Sequence, residues 1–113
     1  MGNLENVRRQ KMIAQKGRCY YCGLPMWDAP VATASRQART PKALRCTAEH
    51  LLPRSEGGRN TTANIVAACW FCNSRRHKRK HPLPPDAYRR HVRKRMAAGK
   101  WLTAQCSSPP TLP

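Results

Sequence analysis

A small α+β domain organised by clustered cysteines rather than by a hydrophobic core is what this sequence predicts, and three observations predict it. The chain has 113 residues with only two Ile, four Val, eight Leu and one Phe, too little apolar side chain for a core alone to offset the entropy lost on folding. Four of its six cysteines fall into two Cys-x-x-Cys pairs, Cys19 with Cys22 and Cys69 with Cys72. Between the pairs the residue pattern reads strand, long loop, strand, and a helix opens at the second pair.

Each element has its own signal. Residues 3–16 read as a short helix, capped by Asn3, carrying Leu4, Val7, Met12 and Ile13 on a loose apolar side and stopped by Gly17. Arg18-Cys19-Tyr20-Tyr21-Cys22-Gly23 has the form of a knuckle, in which a tight turn aims two sulfurs at one point, with Leu24, Pro25, Met26 and Trp27 as its cover. From Asp28 to Lys42 no period of 2 or 3.6 is sustained, so a solvated basic loop is expected there, with Arg36, Arg39 and Lys42 on it. Residues 43–50 alternate weakly and read as a strand that Pro53 ends. Pro53, Ser55, Gly57, Gly58 and Asn60 mark 51–62 as loop. A second strand is expected over 64–68 and a helix over 70–80. Pro82, Pro84 and Pro85 break that helix, and Asp86 is placed to cap another over 87–98, ending at Gly99. The chain therefore divides into an N-terminal helix (1–17), a cysteine-bound core (18–81), a basic helical segment (82–105) and a tail rich in Pro and Ser (106–113) expected to be disordered.

Zinc is the expected organiser of the four paired cysteines. Two Cys-x-x-Cys units give tetrahedral Zn²⁺ four thiolates, and such a site contributes folding energy directly. The opening Met-Gly-Asn-Leu-Glu has no apolar run of a secretory signal, so an oxidising compartment is not indicated, and a disulfide-stapled secreted protein is the lesser alternative. Cys46 and Cys106 are left over, the first as a small buried hydrophobe and the second as a free thiol. Trp70 and Phe71, inside the second pair, are expected to pack.

The charge speaks about the partner. There are 22 Lys and Arg against five acids, a formal net charge of +17, and most of the cations are Arg, whose planar fork suits phosphate oxygens. Nucleic acid is the expected ligand. No stretch is long and apolar enough to span a membrane. Residues Arg54, Arg75, Arg76, Lys78, Arg79, Lys80, Arg89, Arg90 and Arg93 are the expected nucleic-acid contacts.

The stretch from Glu49 to Asn73 holds the groups that phosphodiester hydrolysis needs: a base for water, a cation to neutralise developing charge, and a frame for both. His50 can accept a proton near neutrality. Glu49 and Asn73 offer oxygen to a hard divalent ion such as Mg²⁺. Neighbours on a strand point to opposite faces, so Glu49 and His50 can share a cleft only where the strand gives way to loop. Asn73 and His77 are four apart on the expected helix and share a face, with Cys69 and Cys72 about a quarter-turn away. Asn64, with donors and an acceptor, is suited to pinning the long loop and so fixing His50.

The pattern Glu49-His50-x-x-Pro53, Gly57-Gly58, Asn64, Cys69-x-x-Cys72-Asn73-x-x-Arg76, preceded by Cys19-x-x-Cys22, resembles the zinc-containing HNH endonucleases. That resemblance implies a ββα-metal, treble-clef-like core with flanking helices. It implies that His50 is the general base, Asn64 the structural second motif residue and Asn73 the third. Glu49 and Asn73 would hold a catalytic Mg²⁺, Mn²⁺ or other divalent ion, with His77 as a further contact to metal or phosphate, and the four cysteines would hold a structural zinc. The family more often has Asp at the place of Glu49 and often His at that of Asn73, so this is the H-N-N variant. The resemblance implies a DNA endonuclease or nickase acting on double-stranded DNA in the cytoplasm of a bacterial or phage-infected cell, alongside other phage or host DNA-processing proteins. The alternative is a non-catalytic zinc module that binds nucleic acid.

Overall fold

The computed structural model describes residues 3–28 and 41–102; Arg36 and Arg39 of the expected basic loop, Cys106 and the tail lie outside them. Helix α1 spans Leu4–Ala14, β1 Cys46–His50, β2 Ile65–Cys69, α2 Trp70–Arg76 and α3 Pro85–Ala97, with single 3₁₀ turns at Lys42–Leu44 and Arg54–Glu56. The strands form one antiparallel pair in which Cys46 faces Cys69 and His50 faces Ile65. The α2 helix follows β2 without a break, so the order is strand, long loop, strand, helix: the ββα unit expected from the sequence.

Asn3 caps α1 as its residue type predicts, its side chain accepting from the Asn6 N–H at 2.9 Å. The helix buries Val7 and Arg8 against the sheet. Gln15, just past its end, behaves as a strand fragment: its amide oxygen accepts from Ala67 N–H at 2.9 Å and its amide nitrogen donates to Ala67 C=O at 2.8 Å. One side chain thereby satisfies both backbone groups of a fully buried residue.

The core is small, as the composition requires. Tyr21, Leu44, Ala67, Ala68, Tyr88 and Val92 pack around Cys19, Cys22, Cys69 and Cys72, all of them buried. Cys46 is buried among them, as a small hydrophobe. The cover of the knuckle is partial: Met26 is buried, while Pro25 is exposed and pairs with Arg18.

Two helix boundaries differ from expectation. Helix α2 stops at Arg76 rather than near residue 80, because His77 leaves the helical region and closes the last turn. Helix α3 starts earlier, with Pro84 as N-cap and Pro85 at its first position, and Asp86 lies in its first turn instead of capping it. Proline lacks the N–H that a first helical residue leaves unpaired, and its fixed φ suits that place. Tyr88 and Val92, one turn apart, seat α3 on the knuckle, and the Tyr88 hydroxyl donates to Cys72 C=O at 2.7 Å. The Arg93 guanidinium donates to Tyr21 C=O at 2.7 Å. The basic C-terminal helix is thus a packed part of the fold.

Candidate active site and cysteine cluster

At the end of β1 a cavity of about 290 Å³ opens between the strand, the loop and α2, lined by Glu49, His50, Arg54, Ser55, Asn73 and His77 among others. Glu49 and His50 are the last two residues of β1. They reach one cavity because the strand stops there, so the alternation of faces no longer separates them.

Glu49 is 1% exposed and has three partners. Its Oε2 accepts from the Tyr21 hydroxyl and from Arg76 Nη1, both at 2.7 Å, and its Oε1 lies 2.8 Å from His77 Nε2. Burial, reinforced by the Glu49 charge, pushes the Tyr21 phenol well above its ordinary range, so it remains a donor. Arg76 corrects the sequence expectation. Its side chain is 1% exposed, and its fork is spent inside the protein on Glu49, His50 C=O, Leu51 C=O and, twice, Leu83 C=O. All five N–H donors are used, so Arg76 has none left for a phosphate and is not a nucleic-acid contact. It ties the end of β1 to the turn after α2.

His50 is half-buried, and its Nε2 lies 2.7 Å from Asn60 Oδ1. An amide oxygen only accepts, so in this contact Nε2 is the donor, and a neutral His50 ring has Nδ1 as its basic nitrogen. The loop bearing Asn60 is pinned by Asn64. Asn64 Oδ1 accepts from Leu52 N–H at 2.8 Å, and its Nδ2 donates to Leu52 C=O and Arg59 C=O, both at 3.1 Å. Gly58 is required at the same point, because a Cβ there would stand 1.7 Å from the Leu52 carbonyl oxygen. Gly57 has φ of 94° and ends the 3₁₀ turn in the left-handed region.

Asn73 spends its amide nitrogen on Thr47 Oγ1 at 3.0 Å and Ala48 C=O at 3.1 Å. With the nitrogen fixed to β1, its Oδ1 remains as an oxygen donor, and Asn73 lines the cavity together with Glu49 and His77. That donor set, two oxygens and an imidazole, fits a hard or borderline divalent ion.

Where β2 runs into α2, the Cys19, Cys22, Cys69 and Cys72 sulfurs lie within 4.8 Å of one another, all buried. A tetrahedral Zn–S distance near 2.3 Å separates sulfurs by about 3.8 Å, and Cys22 and Cys69 are already 3.9 Å apart. Backbone N–H groups of Tyr21, Cys22 and Cys69 point at Cys19 Sγ, that of Cys72 at Cys69 Sγ, and the Trp101 indole N–H at Cys72 Sγ. Such donors stabilise thiolate. Hydrogen bonds from Cys22, then Cys69 and Cys72, hold the Cys19 thiol far below its ordinary range, while Cys72 is pushed up by its proximity to Cys19. The four residues could hold a zinc ion, and their chemistry fits one.

The HNH endonuclease family model matches residues 19–79, from the first cysteine of the knuckle to the turn after α2. The chain belongs to the HNH endonuclease family. Among curated proteins no match is found. In this HNH domain the matched span contains Glu49, His50, Asn64, Asn73, His77 and all four cluster cysteines.

Other expected residues separate by position. Arg54 lines the same cavity as His50. Arg75, Lys78 and Arg79 line a different cavity, between α2 and α3. Arg89, Arg90 and Arg93 share a shallow groove with Asp86, and Lys80 is exposed beyond α2. Sequence reasoning missed three residues that line this cavity or bond to its residues. Tyr21 read only as knuckle, Ser55 as loop, and Asn60 as turn chemistry; an Asn in a loop already pinned by another Asn was the one available signal for the last.

Proposed function

We propose that this HNH protein is a metal-dependent endonuclease or nickase of double-stranded DNA, hydrolysing phosphodiester bonds with His50 as general base. The observation that carries the reading is the His50–Asn60 pair opening onto the cavity that Glu49, Asn73 and His77 line. Asn60 holds the ring and keeps the proton on Nε2, so Nδ1 takes the proton of a water attacking phosphorus. Tyr21 and Arg76 occupy one oxygen of Glu49 and orient the carboxylate, leaving the other beside His77. Glu49 and Asn73, with His77, would hold Mg²⁺ or Mn²⁺, whose chemistry is to neutralise charge on the phosphate and the departing 3′ oxygen. Arg54 and Ser55, in the same lining, would meet non-bridging oxygens. The products would be 5′-phosphate and 3′-hydroxyl ends.

A second reading, a non-catalytic zinc-stabilised module that binds nucleic acid, is favoured by one observation: Glu49 already has three protein partners and is almost fully buried. Supercoiled plasmid separates the two. The endonuclease reading expects nicked or linear product with Mg²⁺ or Mn²⁺ and none after chelation. Salt-dependent DNA binding without cleavage in either metal would overturn it in favour of the second.

A further inference from the structure

Between α2 and α3 lies a cavity of about 210 Å³ whose lining includes Arg75, Lys78, Arg79, Arg95, His91 and Trp101. Among the described residues no carboxylate lines it. The five acids of the chain are elsewhere: Glu5 and Asp28 pair with Arg8, Glu49 with Arg76, Glu56 is in the 3₁₀ turn, and Asp86 lines the separate groove. Four exposed cations therefore converge with no acid in the lining to neutralise them, an arrangement that like-charge repulsion opposes unless an anion fills it.

One of these cations, Arg75, is also held in place. The Arg75 guanidinium sits 4.3 Å from the Phe71 ring centroid and 5.9 Å from that of Trp101. Those two rings meet edge to face at 5.1 Å, and Trp101 is anchored by its N–H to Cys72 Sγ. Aromatic faces rather than a carboxylate thus position Arg75, which leaves its N–H fork available. Asn73 and Arg75 lie about 200° apart around α2, so this cavity and the catalytic one are on opposite sides of the helix. Arg76 stands between them, bonded to Glu49 on one side and to Leu83, a wall of this cavity, on the other.

We propose that this cavity is a phosphate-binding site for the nucleic-acid backbone, separate from the cleavage site, with Arg75, Lys78, Arg79 and Arg95 as its donors. At about 210 Å³ it falls below the range of sites that enclose a drug-sized ligand and suits a single phosphodiester with part of its sugar. The inference rests on nucleic acid being the ligand but not on cleavage. Binding one strand on both sides of α2 fixes its register across the catalytic cavity, since phosphate contacts position rather than specify.

The test is fluorescence anisotropy of a labelled DNA duplex with the zinc-loaded full chain, without Mg²⁺ or Mn²⁺, as a function of salt. Arg79→Gln and Arg95→Gln are each expected to weaken binding and to reduce the slope of log K against log salt by about 0.9, one phosphate contact. Arg9→Gln, exposed on α1, is the control, and urea unfolding checks that each variant is folded. Unchanged slopes in both cavity variants while wild type binds would overturn the site and leave the nuclease reading standing. Failure of wild type to bind any duplex would overturn both. Inorganic phosphate binding that the two substitutions abolish, with duplex binding untouched, would make the cavity a small-anion site and contradict the assignment.

Discussion

Replacing Arg76 tests whether the cavity at Glu49 and His50 is built on a buried ion pair. In Arg76→Ala the Glu49 carboxylate, 1% exposed, loses its cation but keeps Tyr21 and His77. Removing one partner of a buried pair costs about 3–5 kcal/mol, because the remaining charge stays desolvated. The carbonyls of His50, Leu51 and Leu83 also lose donors, at about 1 kcal/mol each where water does not replace them. A loss of roughly 3–8 kcal/mol is therefore expected, comparable to the whole stability of a small domain, about 5–15 kcal/mol. Arg79→Ala, three residues on and exposed, should stay within about 0.5 kcal/mol of wild type. Urea unfolding of the zinc-loaded proteins, followed by circular dichroism, compares the two. Equal losses, or an Arg76→Ala loss under about 1 kcal/mol, would refute the assignment of Arg76 as internal scaffold.

Three further outcomes are expected. Asn60→Ala frees the His50 ring, and cleavage at saturating DNA should fall roughly 10- to 100-fold with DNA affinity unchanged; an unaltered rate would remove Asn60 from the site. Gly58→Ala places a methyl 1.7 Å from the Leu52 carbonyl oxygen, so the loop must shift, lowering stability by about 2–3 kcal/mol and, with Asn60 displaced, cleavage as well; wild-type melting and activity would refute the close approach. Zinc chelation should unfold the domain reversibly, because structural zinc contributes about 10–16 kcal/mol in comparable small sites. Re-added Zn²⁺, but not Mg²⁺, should restore the near-ultraviolet dichroism of Trp101 beside Cys72, and a folded signal that persists in chelator would argue against the site.

Much of the fold was legible because local chemistry dictates it. Cys-x-x-Cys spacing is a geometric requirement of one metal, and Asn3, Gly57 and Gly17 act within a few residues of themselves. Asn64 makes the loop-spanning hydrogen bonds its donor and acceptor set suggested, since a loop closed on itself is still a short-range object. Arg76 was misread because the run Arg75, Arg76, Lys78, Arg79, Lys80 shows no periodicity that marks one cation as internal. Its burial is decided by Glu49 and Leu83 on other elements, and by the early end of α2 at His77. The same holds for Tyr21, whose hydroxyl finds its acceptor only when the knuckle folds over β1. Asp86 was read as a cap on residue type, but the proline pair before it starts α3 first.

The central claim, that His50 is the base of an endonuclease, is tested most directly by the rate of plasmid nicking of His50→Ala against wild type in Mg²⁺ or Mn²⁺. With folding and DNA affinity preserved, loss of a positioned general base should lower the rate by about 10²–10⁴-fold. Equal nicking by the two proteins would contradict the account.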